Sequence, residues 1–249
     1  MEEITPRQKR ILNSLIESYI DIAQPISSQF LYNNFKLGIS AATIRNELLD
    51  LTEKGYLLQP HTSAGRIPTD KGYRFFVNEL LEKDDLLNKE TKKRECSLEL
   101  SDIKNFYKIY QLKKDNLKFA QLIAKKMAQL SGEFSAIYLK EIDLFLKEGW
   151  EELMDEPEFK QLELFNDFLK TINNLESNLN NILSEKSWTI KIFIGSEMPF
   201  EKTDHFSMIV GKCDFGNEKD SILGILGPKR MPYGKNINLI KSLIQILNQ

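Results

Sequence analysis

Residues 40–76 constrain the fold more than any other part of the chain, because they carry two helix starts with a short β pattern between them. Ser40 can accept a backbone N–H at the start of a helix. Ile44, Leu48 and Leu51 then recur at helical spacing and form one narrow apolar stripe. The pattern therefore predicts an amphipathic helix that packs on a core along one side only.

A hairpin is predicted directly after this helix. Gly55 is suited to end the helix, and the short apolar run that follows it stops at Pro60. Gly65 is expected to supply a positive φ at the hairpin tip, and Thr69 is expected to cap the next helix. A helix that leads into a hairpin and a further helix is typical of a winged helix-turn-helix, which we predict here.

Two earlier helices complete the predicted N-terminal domain. Thr5 and Gln8 have the spacing of a capping box, with proline at the first helical position. The apolar face of this first helix ends near Ala23. A proline then breaks the chain, and either Ser27 or Ser28 can cap a short second helix.

The third helix of such a domain enters the major groove of DNA, so its outward side chains are the candidate readers. At about 100° per residue, Ala42, Thr43 and Asn46 are expected to face outward, with Arg45 on the flank. Arginine can bind guanine, asparagine can pair with adenine, and small methyl groups can meet thymine. The alternative is that Arg45 pairs with neighbours near Glu47 or with phosphate, and that Asn46 is only solvated.

The predicted hairpin and the helix after it add further candidates. Arg66 is the strongest of them for a DNA contact, whereas His61 fits better as a residue that orders the turn. Lys71 lies in the first turn of a helix, where anions are attracted, and suits phosphate anchoring. The full set of candidate DNA contacts is Ser40, Ala42, Thr43, Arg45, Asn46, His61, Thr62, Ser63, Arg66, Lys71 and Arg74.

Composition describes an ordinary soluble protein, since 41% of the 249 residues are hydrophobic and 28% are charged. The net charge of −2 gives no general support for nucleic-acid binding, and the local excess of positive charge between Lys36 and Arg74 is small. Tight DNA binding would then need two subunits acting together, or good base readout. We therefore expect a homodimer.

The sequence gives little support for a membrane protein, a disulfide-bonded or zinc-binding protein, or an enzyme. The charged start of the chain and the lack of a long apolar run predict a cytoplasmic protein without a membrane helix. Cys96 and Cys213 are isolated, which predicts neither a disulfide framework nor a zinc site. No motif for a nucleophile, a metalloprotease or a phosphate loop is present, so we expect no enzyme, no metal and no cofactor.

The remainder of the chain is predicted to form a second domain. A charged linker is expected at 82–97, between a domain at 1–81 and another at 98–249. A long helix at 98–130 is followed by a possible strand at 134–139 and a helix at 158–183. β-rich runs at 188–194, 206–215 and 221–226 precede a last helix opened by Pro232. This order predicts an α+β class with an antiparallel sheet.

Several stretches resemble the HrcA family of heat-inducible transcription repressors. They are SAATIRNELLDL and QPHTSAGRIPTDKGYRFFV in the first domain, with DEPEF, IGSEMPF and GILGPKRMPYGKNI in the second. The resemblance implies a repressor that binds an inverted-repeat operator before chaperone operons and is released on heat stress. It also implies a GAF-like second domain and reactivation by chaperonin. This chain resembles a shortened member that lacks most of the inserted dimerisation region.

Two alternatives differ in function. The second domain could bind a small molecule and make the protein a ligand-responsive regulator, which an apolar pocket closed by polar groups would favour. The winged helix could instead serve protein contacts without DNA.

Overall fold

The computed structural model describes residues 4–90, 116–184, 188–200, 202–215 and 218–248. The chain divides into two compact units, which we call the N-terminal unit, Met1–Lys92, and the C-terminal unit, Lys93–Gln249. Helices and strands occur in both, in agreement with the predicted α+β class.

The described part of the N-terminal unit contains four helices and a small hairpin. In chain order they are α1 Pro6–Ile22, α2 Ser28–Asn34, α3 Ala41–Glu53, β1 Leu57–Leu58, β2 Ile67–Pro68 and α4 Asp70–Glu90.

Side-chain caps begin the first three helices as the local sequence indicates. Thr5 and Gln8 form the full capping box of α1, and Ala23 ends that helix in the left-handed conformation. Ser27, rather than its neighbour, caps α2. The hydroxyl of Ser40 accepts the backbone N–H of Thr43 and caps α3. Local hydrogen bonding therefore fixes where each helix begins.

The core of the N-terminal unit lies between α1, α3 and the first turns of α4. The predicted stripe of α3 faces this core, and its three residues are at most 3% exposed. The buried apolar side chains of the described part of this unit are Ile4, Ile11, Leu12, Leu15, Ile16, Ile26, Leu31, Ile44, Leu48, Leu51, Leu57, Tyr73, Phe76 and Val77. These side chains pack against the buried side of α3 only, so the other side of that helix faces solvent.

The hairpin differs from expectation at its glycine. β1 and β2 pair antiparallel, and Arg66 pairs in turn with Ile26 through two backbone hydrogen bonds of 2.8 and 2.9 Å. Gly65 does not adopt a positive φ, so that prediction is wrong. Glycine is needed there because a Cβ would overlap the backbone of Ile26. Close approach of two backbone segments, rather than a turn conformation, explains this residue.

The described part of the C-terminal unit is an antiparallel sheet with helices before, within and after it. Its elements are α5 Asn116–Ser131, β3 Phe134–Leu139, β4 Leu144–Glu148, α6 Trp150–Asp155, a 3₁₀ helix Pro157–Lys160, α7 Leu162–Ser184, β5 Ile190–Ile194, β6 Phe206–Phe215, β7 Glu218–Pro228 and α8 Tyr233–Leu247. The strand order is β4-β3-β7-β6-β5, and every neighbouring pair is antiparallel.

Most predicted elements of the second domain are present, with shifted ends. The strands at 134–139 and 206–215 are confirmed, whereas β4 and α6 were not predicted. The predicted helix at 158–183 begins four residues later, after the 3₁₀ helix. The predicted linker at 82–97 begins inside α4, and its last part lies outside the described residues, as do residues 98–115 of the predicted helix at 98–130.

Both faces of this sheet are covered by helices. Phe134 and Met208 lie on the face that packs against α7, in a cluster that also contains Phe168. The opposite face meets α5 and α8, where the Ser135 hydroxyl donates to the Ala124 carbonyl over 2.6 Å. Alternating residues therefore fill two separate layers of core.

Among the described residues, we find no helix that has both the length and the apolar character needed to cross a membrane.

Candidate nucleic-acid interface

One side of α3 carries a continuous exposed stripe. Ala42, Arg45, Asn46 and Leu49 are all exposed and recur at helical spacing, and we call them the exposed face of α3. Arg45 and Asn46 make no hydrogen bond or ion pair with any residue that the structure describes. Their donors and acceptors are therefore available to a partner, as a base contact requires.

Leu49 belongs to this face although sequence reasoning did not select it. Half of its side chain is exposed, whereas the adjacent Leu48 is only 3% exposed. The helical spacing already indicated this position, because residue 49 follows Ala42 by seven positions and Asn46 by three and so shares their face of the helix. An apolar side chain on the exposed face suits contact with a thymine methyl group.

Thr43 points less outward than expected. It is half-buried, and its hydroxyl lies 3.0 Å from the Ser40 hydroxyl that caps the helix. At 100° per residue it is turned about 100° from Ala42, toward the flank of the helix. Ser40 and Thr43 thus form one pair at the start of α3.

Two acidic residues of α3, Glu47 and Asp50, are turned toward α1, whereas the third, Glu53, is exposed in the last turn of the helix. Glu47 accepts hydrogen bonds from Arg7 over 3.2 Å and from the amide of Gln8 over 3.0 Å. Asp50 accepts from Gln8 and, over 3.0 Å, from Lys54. Neither carboxylate is left to repel a phosphate backbone, and Glu47 pairs with Arg7 rather than with Arg45.

Gln8 is the centre of this contact and was singled out from the sequence only as a helix cap. It is 2% exposed, and its carbonyl oxygen accepts both the backbone N–H of Thr5 and the ammonium of Lys54. The hydrogen bond from Lys54, followed by that from Gln8, lowers the pKa of Asp50. This network, centred on the buried Gln8, joins α3 to α1.

A glutamine orders the tip of the hairpin. The side-chain amide of Gln59 donates to the carbonyls of Thr62 and Ala64 over 2.9 and 3.0 Å. His61, Thr62 and Ser63 are exposed at this tip, and the Ser63 hydroxyl lies 3.4 Å from Nδ1 of His61. These three candidates therefore share one exposed, ordered loop.

The cations after the loop have partners within the unit. Arg66 donates through Nε to the Thr52 hydroxyl over 3.0 Å and so ties the hairpin to α3. The ammonium of Lys71 donates to the Lys54 carbonyl over 2.6 Å and lies 4.3 Å from the centre of the Tyr56 ring. Arg74 is half-buried in α4. Arg66 and Lys71 therefore brace the unit, whatever else they contact.

The C-terminal unit contains a cluster of charged side chains around the buried Glu133. Glu133 is 2% exposed and contacts Gly227, where any Cβ would overlap its carboxylate. Burial, followed by the charge of Glu156, raises the pKa of Glu133. Arg230 donates to Glu158 over 2.6 and 2.9 Å, and also to Glu156.

This cluster joins two of the sequence motifs noted above, since Glu156 and Glu158 belong to DEPEF and Arg230 to GILGPKRMPYGKNI. Burial disfavours the charge of Arg230, but its hydrogen bonds with Glu158, followed by those with Glu156, outweigh this and raise its pKa. The arrangement is that of a structural ion pair.

Within the described ranges, no group of three or more His, Cys, Asp or Glu residues is placed to hold a metal ion. Cys213 is buried in β6, and burial raises the pKa of its thiol.

Comparison with known proteins places this arrangement in a family. The model of the HrcA protein C terminal domain matches residues 62–237. A heat-inducible transcription repressor HrcA of Thermoanaerobacter sp. (strain X514) is 29% identical, over 97% of this chain and 95% of that relative. The same-named protein of Acetivibrio thermocellus is 30% identical, over 95% of this chain and 94% of that one.

One solved structure has the same fold. The crystal structure of a hypothetical protein at 2.2 Å resolution superposes with a TM-score of 0.76 over 99% of this chain and 98% of its own, at 19% identity. The class that these matches define is that of the transcription repressors. Within it, the chain belongs to the HrcA family.

The chain is a shortened member of that family. Its alignment with the Thermoanaerobacter relative runs over 331 positions, whereas the chain has 249 residues. The relative therefore carries residues that have no counterpart here.

Proposed function

We propose that this protein represses transcription by binding an inverted-repeat operator in front of chaperone operons. The N-terminal unit acts as a winged helix-turn-helix, with α3 in the major groove and residues 59–66 as the wing. The observation that carries the proposal is the exposed face of α3, on which Arg45 and Asn46 are exposed and make no bond to any described residue.

The charges around α3 support the same function. Two of its three acidic side chains, Glu47 and Asp50, are held by Arg7, Gln8 and Lys54 on the side of α1. These two carboxylates therefore do not cancel the positive charge of Arg45. In this proposal Arg45 binds guanine, Asn46 pairs with adenine, and Ala42 and Leu49 meet thymine methyl groups.

Two copies of the chain act together in this proposal. A single N-terminal unit offers few cations, because Lys54, Arg66 and Lys71 already contact groups within it. A homodimer doubles the number of phosphate contacts and places two reading helices about 34 Å apart, or a multiple of that distance, on an inverted repeat. The C-terminal unit, which we propose to be a reduced GAF-like domain, supplies the dimer contact.

Heat and chaperonin control the activity in this proposal. The relatives in Thermoanaerobacter and Acetivibrio thermocellus are named as heat-inducible transcription repressors. Warming lowers the marginal stability of a protein by a few kcal/mol, so DNA binding is lost, and chaperonin restores it by refolding the chain. Thermal loss of DNA binding that purified chaperonin fails to reverse would contradict this step.

A small-molecule regulator receives less support. The layer between the sheet and α7 is filled by aromatic rings, with Phe134 and Phe168 centred 5.6 Å apart and Phe168 and Phe206 centred 5.1 Å apart. Rings at these distances are in direct contact.

Selection from a random-sequence duplex pool with the full-length protein tests the proposal. We expect enrichment of an inverted repeat whose half-sites are separated by one helical turn or a multiple of it. Binding should weaken steeply as salt rises. Enrichment of no sequence, or of an unrepeated one bound by a single chain, would overturn it.

A further inference from the structure

A groove beside the reading helix carries two arginines that the sequence reasoning did not assign to DNA. It is lined by Pro6, Arg7, Arg10, Ile11, Leu37 and Ile39. These residues come from the first two turns of α1 and from the connection between α2 and α3. Ile39 directly precedes the cap of α3, so the groove is continuous with the start of the proposed reading helix.

The size of this groove argues against a metabolite site. Its volume is about 190 Å³, whereas pockets for drug-sized ligands usually hold about 300 to 1,000 Å³. Its lining combines apolar side chains with guanidinium groups. Such a lining is complementary to a nucleic-acid backbone, in which an apolar sugar edge alternates with an anionic phosphate.

Arg10 is the cation with the most capacity left for such a ligand. It is exposed, and its one hydrogen bond to a described residue is a long one, 3.5 Å, to the Lys36 carbonyl. A guanidinium has five N–H donors, so most of them remain for another acceptor. Arg7 is already paired with Glu47 over 3.2 Å. The contact between Arg10 and the Lys36 backbone also brings the exposed Lys36 residue to the same place.

We infer that Arg10 and Lys36 form a phosphate clamp that holds one DNA strand beside the major groove entered by α3. The sugar next to that phosphate packs on Pro6, Leu37 and Ile39. The inference rests on the proposed function and names the backbone contact that such a repressor needs. It explains how a chain of net charge −2 binds a polyanion, because the clamp is local.

Salt dependence measures this clamp directly. Binding of the full-length protein to its selected duplex and to a scrambled duplex is followed by fluorescence anisotropy between 50 and 200 mM KCl. One lost phosphate contact per subunit reduces the slope of log K against log salt by about 0.9, and therefore by about 1.8 for a dimer. We expect this reduction for Arg10→Ala and for Lys36→Ala, equally on both duplexes.

Two control variants isolate the effect of position from that of charge. Arg10→Lys keeps the positive charge and should keep most of the slope. Lys83→Ala removes an exposed cation of α4 that lies near Glu17, ten residues along α1 from Arg7, and should leave the slope unchanged. Thermal melts exclude unfolding, and if Arg10→Ala does not fold, Lys36→Ala decides the result.

The outcomes separate the clamp from the repressor function. Unchanged slopes in Arg10→Ala and Lys36→Ala, with wild-type preference for the selected duplex, overturn the clamp alone. If the slopes of the two variants are reduced but the wild-type protein binds the selected and scrambled duplexes equally, the backbone site is supported and sequence-specific repression is overturned. A wild-type protein that binds neither duplex overturns both.

Discussion

The polar side chains that stand out in the two units of this protein have opposite surroundings. In the N-terminal unit, Arg45 and Asn46 stand on an exposed helix face and bond to no described residue. In the C-terminal unit, Glu133 is buried and Arg230 is bound to two glutamates. Exposed groups of this kind add little to folding but can serve a ligand, whereas buried charges affect stability strongly. The comparison contrasts side chains that remain available to a ligand with side chains that are engaged within the fold.

Removing Arg230 should have the largest effect on stability. Arg230→Met leaves Glu156 and Glu158 without their counter-charge beside the buried Glu133, and we expect a loss of about 3 kcal/mol. Both tryptophans, Trp150 and Trp188, lie in the C-terminal unit, so denaturation followed by tryptophan fluorescence reports on that unit.

Lys170→Met is the matched control for Arg230→Met, since Lys170 pairs with Asp167 on the surface over 2.9 Å. Its cost should stay within about 1 kcal/mol. Equal costs for the two variants would contradict the distinction between buried and exposed charge.

Two glycines of β7 provide the next test. Gly227→Ala places a methyl group onto the Glu133 carboxylate, and we expect it to cost about 2 kcal/mol. At Gly224 a Cβ would lie 3.7 to 3.8 Å from its neighbours, which is ordinary contact, so Gly224→Ala should cost clearly less. The same fluorescence measurement compares them, and a reversed order would show that the Glu133 pocket is not tightly packed.

The pKa of Glu133 predicts a smaller, pH-dependent effect. A carboxyl whose pKa is raised in the folded state holds its proton there, so its contribution to stability falls as pH rises from about 4.5 toward the raised pKa. Glu133→Gln removes this titration. The melting temperature of the variant relative to wild type should therefore increase with pH across that range, and a constant difference would contradict a raised pKa.

Leu49→Ala should have the smallest effect on stability, within about 0.5 kcal/mol, because the side chain is half exposed. It should nevertheless weaken binding to the selected duplex by about 1 kcal/mol, through lost apolar contact. Circular dichroism melts and anisotropy measure the two effects. A large loss of stability would show that Leu49 belongs to the core.

Local patterns predicted the N-terminal unit well, because caps such as those of Thr5 and Ser40 depend on residues three positions away. Local patterns could not predict contacts between residues that are far apart in the sequence. The need for glycine at position 65 comes from Ile26, and Arg230 meets Glu158 from 72 positions away. Leu49 was missed because apolar residues in an amphipathic helix usually face the core.

The most direct test is a binding profile over every single-base change in one half-site of the selected duplex, measured for wild type and for Asn46→Ala. Each changed base that the wild-type protein reads should cost about 1 to 3 kcal/mol. The account predicts that Asn46→Ala loses this discrimination at one base pair and keeps it elsewhere. A profile that is unchanged in shape, or weakened equally at every position, would contradict base reading by the exposed face of α3.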